Sequence, residues 1–141
     1  TGPAGASGAS AVSSYSVGPD GKLTAVSQSV PALADANCWN VITPDGTRVY
    51  TSNAASASIS GFNIAKDGTL TPIGSTVVGN NPPGSTNLDI AVSADGKYLY
   101  TTNSGTGDVG IFRIENDGTL TSLGQAGELT KMSGFNGIAA I

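Results

Sequence analysis

The sequence predicts an all-β fold built from repeated four-stranded units, and three observations lead to this prediction. Charged residues make up 11% and aromatic residues 6% of the 141 residues, whereas glycine occurs 20 times. This composition favours short strands and turns over helices. Asp-Gly pairs occur five times, and this dipeptide suits tight hairpin turns. Finally, two kinds of segment alternate along the chain.

The first kind of segment contains the core Asp-Gly-(Lys/Thr)-Leu-Thr and occurs at residues 12–27, 59–74 and 109–124. The second kind occurs as TPDGTRVYTSN at residues 43–53 and as SADGKYLYTTN at residues 93–103. Equivalent aspartates are separated by about 47 to 50 residues. A period of this length carrying four strand-length segments is typical of the blades of a β-propeller.

Each part of the chain can be assigned to this pattern of blades. Residues 1–10 (TGPAGASGAS) are predicted to form a flexible linker or frayed terminus, because they are rich in Gly, Ala and Ser. Residues 11–30 are predicted to form the outer half of a blade, with two strands joined at an Asp-Gly turn. Residues 38–77 and 87–126 are each predicted to form a complete blade. Residues 135–141 are predicted to form the inner strand of a further blade, because GIAAI resembles the inner-strand sequence DIAVS.

Within the two complete blades, alternating or continuous apolar stretches predict four strands each. These strands are predicted at 38–43, 47–53, 58–64 and 69–77, and at 87–93, 97–103, 108–114 and 119–125. The chain thus contains about 11 strands, just under three blades, whereas closed propellers have about 4 to 8 blades. We therefore expect the remaining blades to come from another chain, an N-terminal fragment or identical copies.

Charge and composition exclude several classes of function. The chain has six basic and ten acidic residues without a basic cluster, which argues against partners such as nucleic acids and anionic membranes. No apolar run approaches the roughly 18 to 20 residues that span a bilayer. A single cysteine, Cys38, and the absence of histidine leave no zinc site. No metal and no cofactor are therefore expected, and Cys38 is expected to be buried.

The topology of a blade separates two rims. The five Asp-Gly turns share one rim, and the longer, variable loops lie at the other, which we call the loop rim. Most cations lie close to the Asp-Gly turns, whereas Lys131 lies on the loop rim. The loop rim is mildly acidic and rich in Asn, which disfavours a phosphorylated ligand. Binding residues favour such loops on a rigid scaffold.

Candidate funnel or loop-rim binding residues follow from this arrangement, and each has a structural alternative. They are Trp39, Asn40, Asn87, Asp89, Asn103 and Asp108. Trp39 is suited either to stacking on a sugar-like ring or to packing between blades. Asp89 is suited to acid-base or cation chemistry, or to accepting hydrogen bonds from a neighbouring blade. Asp108 with Asn103 offers oxygen ligands for calcium, but lacks the dense carboxylates of a calcium loop.

A family resemblance rests on the segments TPDGTRVYTSN, SADGKYLYTTN, FNIAKDGTLTPIG and FRIENDGTLTSLG. They resemble the repeats of lactonase-type seven-bladed β-propellers, the family of bacterial 6-phosphogluconolactonase and fungal carboxymuconate cyclase. The resemblance covers residues 12–141 and implies the C-terminal portion of a seven-bladed ring. It also implies lactone hydrolysis or cyclisation in the central funnel, by a hydrolase or cyclase that needs the full ring.

The resemblance assigns no catalytic residue in this chain. The family's sites use His, Glu and Arg side chains in the funnel, and this chain has no histidine. The alternative is a non-catalytic extracytoplasmic propeller module that binds protein or carbohydrate through its Asn-rich loop rim. We expect a periplasmic or extracellular location, with a cytoplasmic one also open.

Overall fold

A computed structural model of the chain describes residues 8–134 and 136–141, and it contains only β-structure as regular elements in that part. The strands are β1 (Ala11–Val17), β2 (Leu23–Pro31), β3 (Asn37–Ile42), β4 (Arg48–Asn53), β5 (Ser58–Ile64), β6 (Leu70–Pro72), β7 (Gly79–Asn80), β8 (Asn87–Val92), β9 (Tyr98–Asn103), β10 (Asp108–Ile114) and β11 (Leu120–Ala126). In the described residues, no helix is long and apolar enough to cross a membrane.

The strands form three antiparallel sheets in chain order. The half-blade consists of β1 and β2, the first blade of β3 to β6 with β7 paired to β5, and the second blade of β8 to β11. The predicted all-β fold of successive antiparallel blades is therefore confirmed. Residues 1–7 of the predicted linker lie outside the described residues.

The fourth strand of the first blade differs from the prediction. Instead of one strand over residues 69–77, the structure has β6 and β7 with a bend between them. Gly74 adopts a φ of 73° in this bend, a conformation that glycine adopts without steric cost. The backbone amides of Ile73 and Val78 still donate to carbonyls of β5, at 2.8 Å each.

The segment 136–141 pairs with no strand among the described residues. An inner strand pairs with the second strand of its own blade, and the described residues include no such strand beyond β11. Residue 135 lies outside the described part. The inner strand over residues 135–141 therefore stays a prediction.

Two interfaces between blades hold the hydrophobic core. Each blade has a leading face, directed toward the blade before it in the chain, and a trailing face, directed toward the blade after it. The first interface joins the half-blade to the first blade and buries Ala32, Val49, Phe62 and Leu70. The second interface joins the two blades and buries Tyr50, Ile59, Ile73, Val78, Ile90, Leu99 and Phe112. Successive strand residues point to opposite faces, so the first blade contributes to both interfaces.

The Asp-Gly turns are stabilised by local hydrogen bonds of their aspartates. Asp45 Oδ1 accepts from the Thr43 hydroxyl at 2.6 Å and from the Thr47 amide at 3.1 Å. The Thr43 hydrogen bond is the main cause that lowers the pKa of Asp45 to about 2. Asp95 repeats the arrangement with the Ser93 hydroxyl at 2.6 Å. These aspartates therefore have a structural role in the turns.

Candidate loop-rim site

The ion pairs found among the described residues lie on the rim of the Asp-Gly turns. They join Lys22 to Asp20 at 2.9 Å, Lys97 to Asp95 at 3.3 Å and Arg113 to Glu115 at 2.9 Å. Their side chains are exposed except that of Glu115, which is partly buried, and such surface pairs contribute little stability. Lys131, by contrast, lies on the loop rim. It is two residues after Leu129, whose backbone amide donates to the Gly107 carbonyl in the loop between β9 and β10. The position of the paired cations near the Asp-Gly turns, with Lys131 on the loop rim, agrees with the sequence pattern.

The inner strand β3 carries Trp39 and Asn40 on opposite faces. Trp39 is half-buried and packs against the core of the second interface. Asn40 is exposed on the leading face, next to Cys38 and Ile42. The expectation that Cys38 is buried is therefore wrong, because no strand among the described residues covers this face beyond β1 and β2. The equivalent of Asn40 in the second blade is Ile90, which the second interface buries.

Asp89 occupies on β8 the position that Trp39 occupies on β3. Its Oδ1 atom accepts from the backbone amide of Ile90 at 2.7 Å, and its Oδ2 atom accepts from the amide of Ile138 at 3.1 Å. The carboxylate therefore holds the segment that follows the second blade against the inner strand. The contacts of Asp89 thus correspond to its structural role as a hydrogen-bond acceptor. Each carboxylate oxygen can still accept a second hydrogen bond.

Asn87 is fully buried and links the two blades. Its Nδ2 atom donates to Ser52 Oγ at 2.5 Å and to the Ser58 carbonyl at 3.0 Å, both in the first blade. Ser52 Oγ in turn donates to the Asn87 carbonyl at 2.6 Å. The structure therefore places this candidate in an interface instead of on an open surface.

Asn103 is also fully buried, and its amide organises a second polar cluster. Its Nδ2 atom donates to Asp108 Oδ1 at 2.7 Å and to Asn81 Oδ1 at 3.1 Å. The Thr101 hydroxyl donates to the same Asn81 oxygen at 3.0 Å. The structure thus brings Asn103 and Asp108 together, but no group of three or more His, Cys, Asp or Glu side chains that could hold a metal ion occurs among the described residues.

Asn81 is a residue that the sequence interpretation missed. In the first blade, the equivalent amide of Asn53 donates to the hydroxyl of Ser60 at 2.9 Å. The second blade has Gly110 in place of Ser60, and a Cβ atom built on Gly110 would lie 2.3 Å from Asn81 Oδ1. Asn81, in the connection that follows β7, therefore fills the space of the missing side chain. The loss of a serine between aligned repeats was the signal available in the sequence.

Solved structures with the same fold are substantially longer than this chain. A functionally unknown protein from Desulfotomaculum acetoxidans has a TM-score of 0.74 and 24% identity, over 89% of this chain and 38% of that chain. A protein provisionally assigned as a 6-phosphogluconolactonase from Bacteroides uniformis has a TM-score of 0.71 and 25% identity, over 85% and 36%. The periplasmic gluconolactonase of Pseudomonas aeruginosa has a TM-score of 0.66 and 22% identity, over 89% and 37%.

No family model and no curated protein matches the sequence. The structural comparisons show that the chain has the fold of the lactonase-like β-propellers. The chain spans between 36% and 38% of the length of these three neighbours.

Proposed function

We propose that the chain contributes blades to a lactonase-like propeller that hydrolyses or forms a lactone in its central funnel. The observation that carries this proposal is the likeness to the Bacteroides uniformis protein, at 25% identity over 85% of this chain. Because that protein is much longer, the activity belongs to a whole ring and not to these blades alone. The remaining blades come from another chain, an N-terminal fragment or identical copies.

Hydrolysis of a lactone needs a water activated against the ester carbonyl and donors for the oxygen that becomes negatively charged. The chain contains no histidine, so we assign the general base to other blades. Asp89 is the acidic residue on the described inner strands, β3 and β8. Its free acceptor sites are suited to binding the hydroxyl groups of a sugar-like lactone at the mouth of the funnel.

An unphosphorylated lactone fits these blades better than a phosphorylated one. Phosphate recognition uses Arg or Lys side chains. In the described residues, the cations that form ion pairs lie at the opposite rim, and Lys131 is the cation of the loop rim. The periplasmic neighbour from Pseudomonas aeruginosa supports an extracytoplasmic location for such a lactonase.

The alternative, a binding module that uses an Asn-rich loop rim, has less support. Asn53, Asn87 and Asn103 are fully buried, and their side-chain amides bind within the protein. They offer no polar surface to a protein or carbohydrate.

The test is hydrolysis of glucono-1,5-lactone, followed as acid release at constant pH. The isolated chain should not exceed the uncatalysed rate, whereas a chimera carrying it in place of the equivalent Bacteroides uniformis blades should hydrolyse the lactone. In the chimera, Asp89→Asn should raise KM about tenfold, the loss expected for a hydrogen bond to a charged group. Asp95→Asn, on the opposite rim, is the matched control and should leave KM unchanged. A folded but inactive chimera, or an active isolated chain, would contradict the proposal.

A further inference from the structure

Both inner strands have an irregular register directly before the equivalent residues Trp39 and Asp89. In β3, the pairing with β4 shifts between Asn37 and Trp39. In β8, the pairing with β9 shifts in the same way between Asn87 and Asp89. Thr86, which precedes the second shift, adopts a φ of 47°, a conformation that is rare for a β-branched residue. Such irregularities redirect side chains next to binding sites, so the fold gives positions 39 and 89 a special orientation in both blades.

The hydrogen bond of Asp89 shows how far a side chain at this position reaches. Its Oδ2 atom accepts from the backbone amide of Ile138, and Ile138 aligns with Ile90 because GIAAI resembles DIAVS. Trp39 holds the same position one blade earlier, so we expect its side chain to reach Ile90 of β8. The packing agrees, because Trp39 packs against the core cluster that contains Ile90, and β3 contacts β8.

Ile90 therefore brings the indole of Trp39 and the carboxylate of Asp89 together. Its backbone amide donates to Asp89 Oδ1 at 2.7 Å, and its side chain belongs to the cluster on which Trp39 packs. An aromatic ring beside a carboxylate suits a polyhydroxylated ring. The aromatic face packs on the apolar C–H groups of such a ring, and the carboxylate accepts hydrogen bonds from its hydroxyl groups.

Both side chains remain accessible to a ligand. Trp39 and Asp89 are half-buried, and each is the third residue of an inner strand. Inner strands surround the central channel of a propeller. Each carboxylate oxygen of Asp89 can accept a second hydrogen bond. The ion pairs of the described residues do not involve Asp89, so no cation neutralises its charge there.

We propose that Trp39 and Asp89 form a subsite for the closed ring of an unphosphorylated, polyhydroxylated lactone. Trp39 stacks on the C–H face of the ring, and Asp89 accepts hydrogen bonds from its hydroxyl groups. The identity of the ligand as a lactone rests on the proposed function. Trp39 is in this role a specificity-determining residue, because it selects a ring over an open chain.

The same subsite favours the substrate of hydrolysis over its product. Hydrolysis adds water across the ester bond and gives an open-chain hydroxy acid, which releases its proton to the solvent at neutral pH. This product has no closed ring to stack on Trp39, and Asp89 repels its carboxylate. The subsite therefore binds the lactone and releases the acid.

Fluorescence tests the subsite directly, because Trp39 is the single tryptophan of the chain. The ring 1,5-anhydroglucitol, which cannot be hydrolysed, should change the emission of the wild-type chain saturably. Glucitol, the open-chain polyol of the same configuration, should bind about tenfold more weakly. Asp89→Asn should raise the Kd for the ring about tenfold. Asp95→Asn, at the opposite rim, is the matched control and should leave the Kd unchanged.

Two substitutions of Trp39 separate stacking from packing. Trp39→Leu keeps an apolar side chain against the core but has no flat face, and it should raise the Kd for 1,5-anhydroglucitol about tenfold. Trp39→Phe keeps an aromatic ring and should bind more tightly than Trp39→Leu. Ligand-observed NMR measures both, and circular dichroism verifies that each variant is folded. A wild-type chain without saturable binding, equal binding of glucitol, or a folded Trp39→Leu that binds like the wild type would overturn the proposal.

These binding measurements do not depend on lactone turnover. If the ring binds at Trp39 but the chimera is inactive, the lactonase proposal fails and the ring subsite stands. If the chimera hydrolyses the lactone but the ring does not bind at Trp39, the subsite fails and the lactonase proposal stands.

Discussion

The first and second blades have equivalent strands but differ in what covers their trailing faces. Tyr50 of the first blade is fully buried, whereas its equivalent Tyr100 in the second blade is half-buried. Both follow the same pattern of apolar and polar residues. The difference teaches that burial in this fold is set by the neighbouring blade and cannot be read from the sequence of one blade alone.

The polar groups of the two blades show a second difference. Asn53 is satisfied by Ser60 within its own blade, whereas Asn103 relies on Asn81 from the preceding blade. A hydrogen bond inside a blade has thus been replaced by one across an interface. Substitutions at equivalent positions should therefore have different effects in the two blades.

The largest effect should follow from removing an aromatic side chain of the covered interface. Phe112→Ala deletes a ring that is 1% exposed and should lower the free energy of unfolding by about 3 to 5 kcal/mol. Tyr15→Ala changes the equivalent position of the half-blade, which is exposed, and should cost less than about 1 kcal/mol. Urea unfolding measures both, and equal losses would contradict the comparison.

A smaller effect is expected for the amide that crosses the interface. Asn81→Ala leaves the buried groups of Thr101 and Asn103 without that partner, which should cost about 1 to 3 kcal/mol. Asn80→Ala is the control, because the adjacent Asn80 is exposed. If the two variants unfold at the same urea concentration, the cross-blade hydrogen bonds do not contribute to stability.

The smallest effect concerns the hydroxyl of Tyr50. Tyr50→Phe removes its hydrogen bond to the Gly118 carbonyl and should cost about 1 kcal/mol at neutral pH. Tyr100→Phe, at the uncovered equivalent position, should change stability little.

Alkaline pH gives a separate measurement of the same hydroxyl. Burial is the main cause that raises the pKa of Tyr50 to about 12, above the value near 10 of an unfolded chain. The unfolded state therefore loses this proton first, so the contribution is complete below pH 10 and is lost as the pH rises toward 12. The stability difference between wild type and Tyr50→Phe should shrink over this range, and a constant difference would show that Tyr50 ionises freely.

The repeat pattern was sufficient to predict the fold, because Asp-Gly turns and strand alternation depend on local chemistry. Thr43, Asp45 and Thr47 form their turn with hydrogen bonds inside five residues. The break between β6 and β7 was not predicted, since PIGSTVVG reads as a continuous strand until Gly74 adopts a positive φ.

The candidate site was less predictable, because its residues depend on contacts between blades. Asn87 and Asn103 lie near the loop rim in sequence, but Ser52 and Asn81 of another blade enclose them. Cys38 lies in an apolar sequence and is nevertheless exposed. For Asp89, the structure added a partner, Ile138, that lies 49 residues away.

The exchange of Ser60 for Gly110 limits how these blades can be recombined. A propeller designed by repeating the second blade would place Gly110 opposite the connection that follows β11. The backbone amide of Leu129 in that connection bonds the Gly107 carbonyl, as Asn81 bonds Ala57 in the preceding connection. The side chain of Leu129 has no oxygen that could accept the hydrogen bonds of Thr101 and Asn103, as Asn81 Oδ1 does. The unit that can be transplanted is therefore a connection together with the blade that follows it, and not the blade by itself.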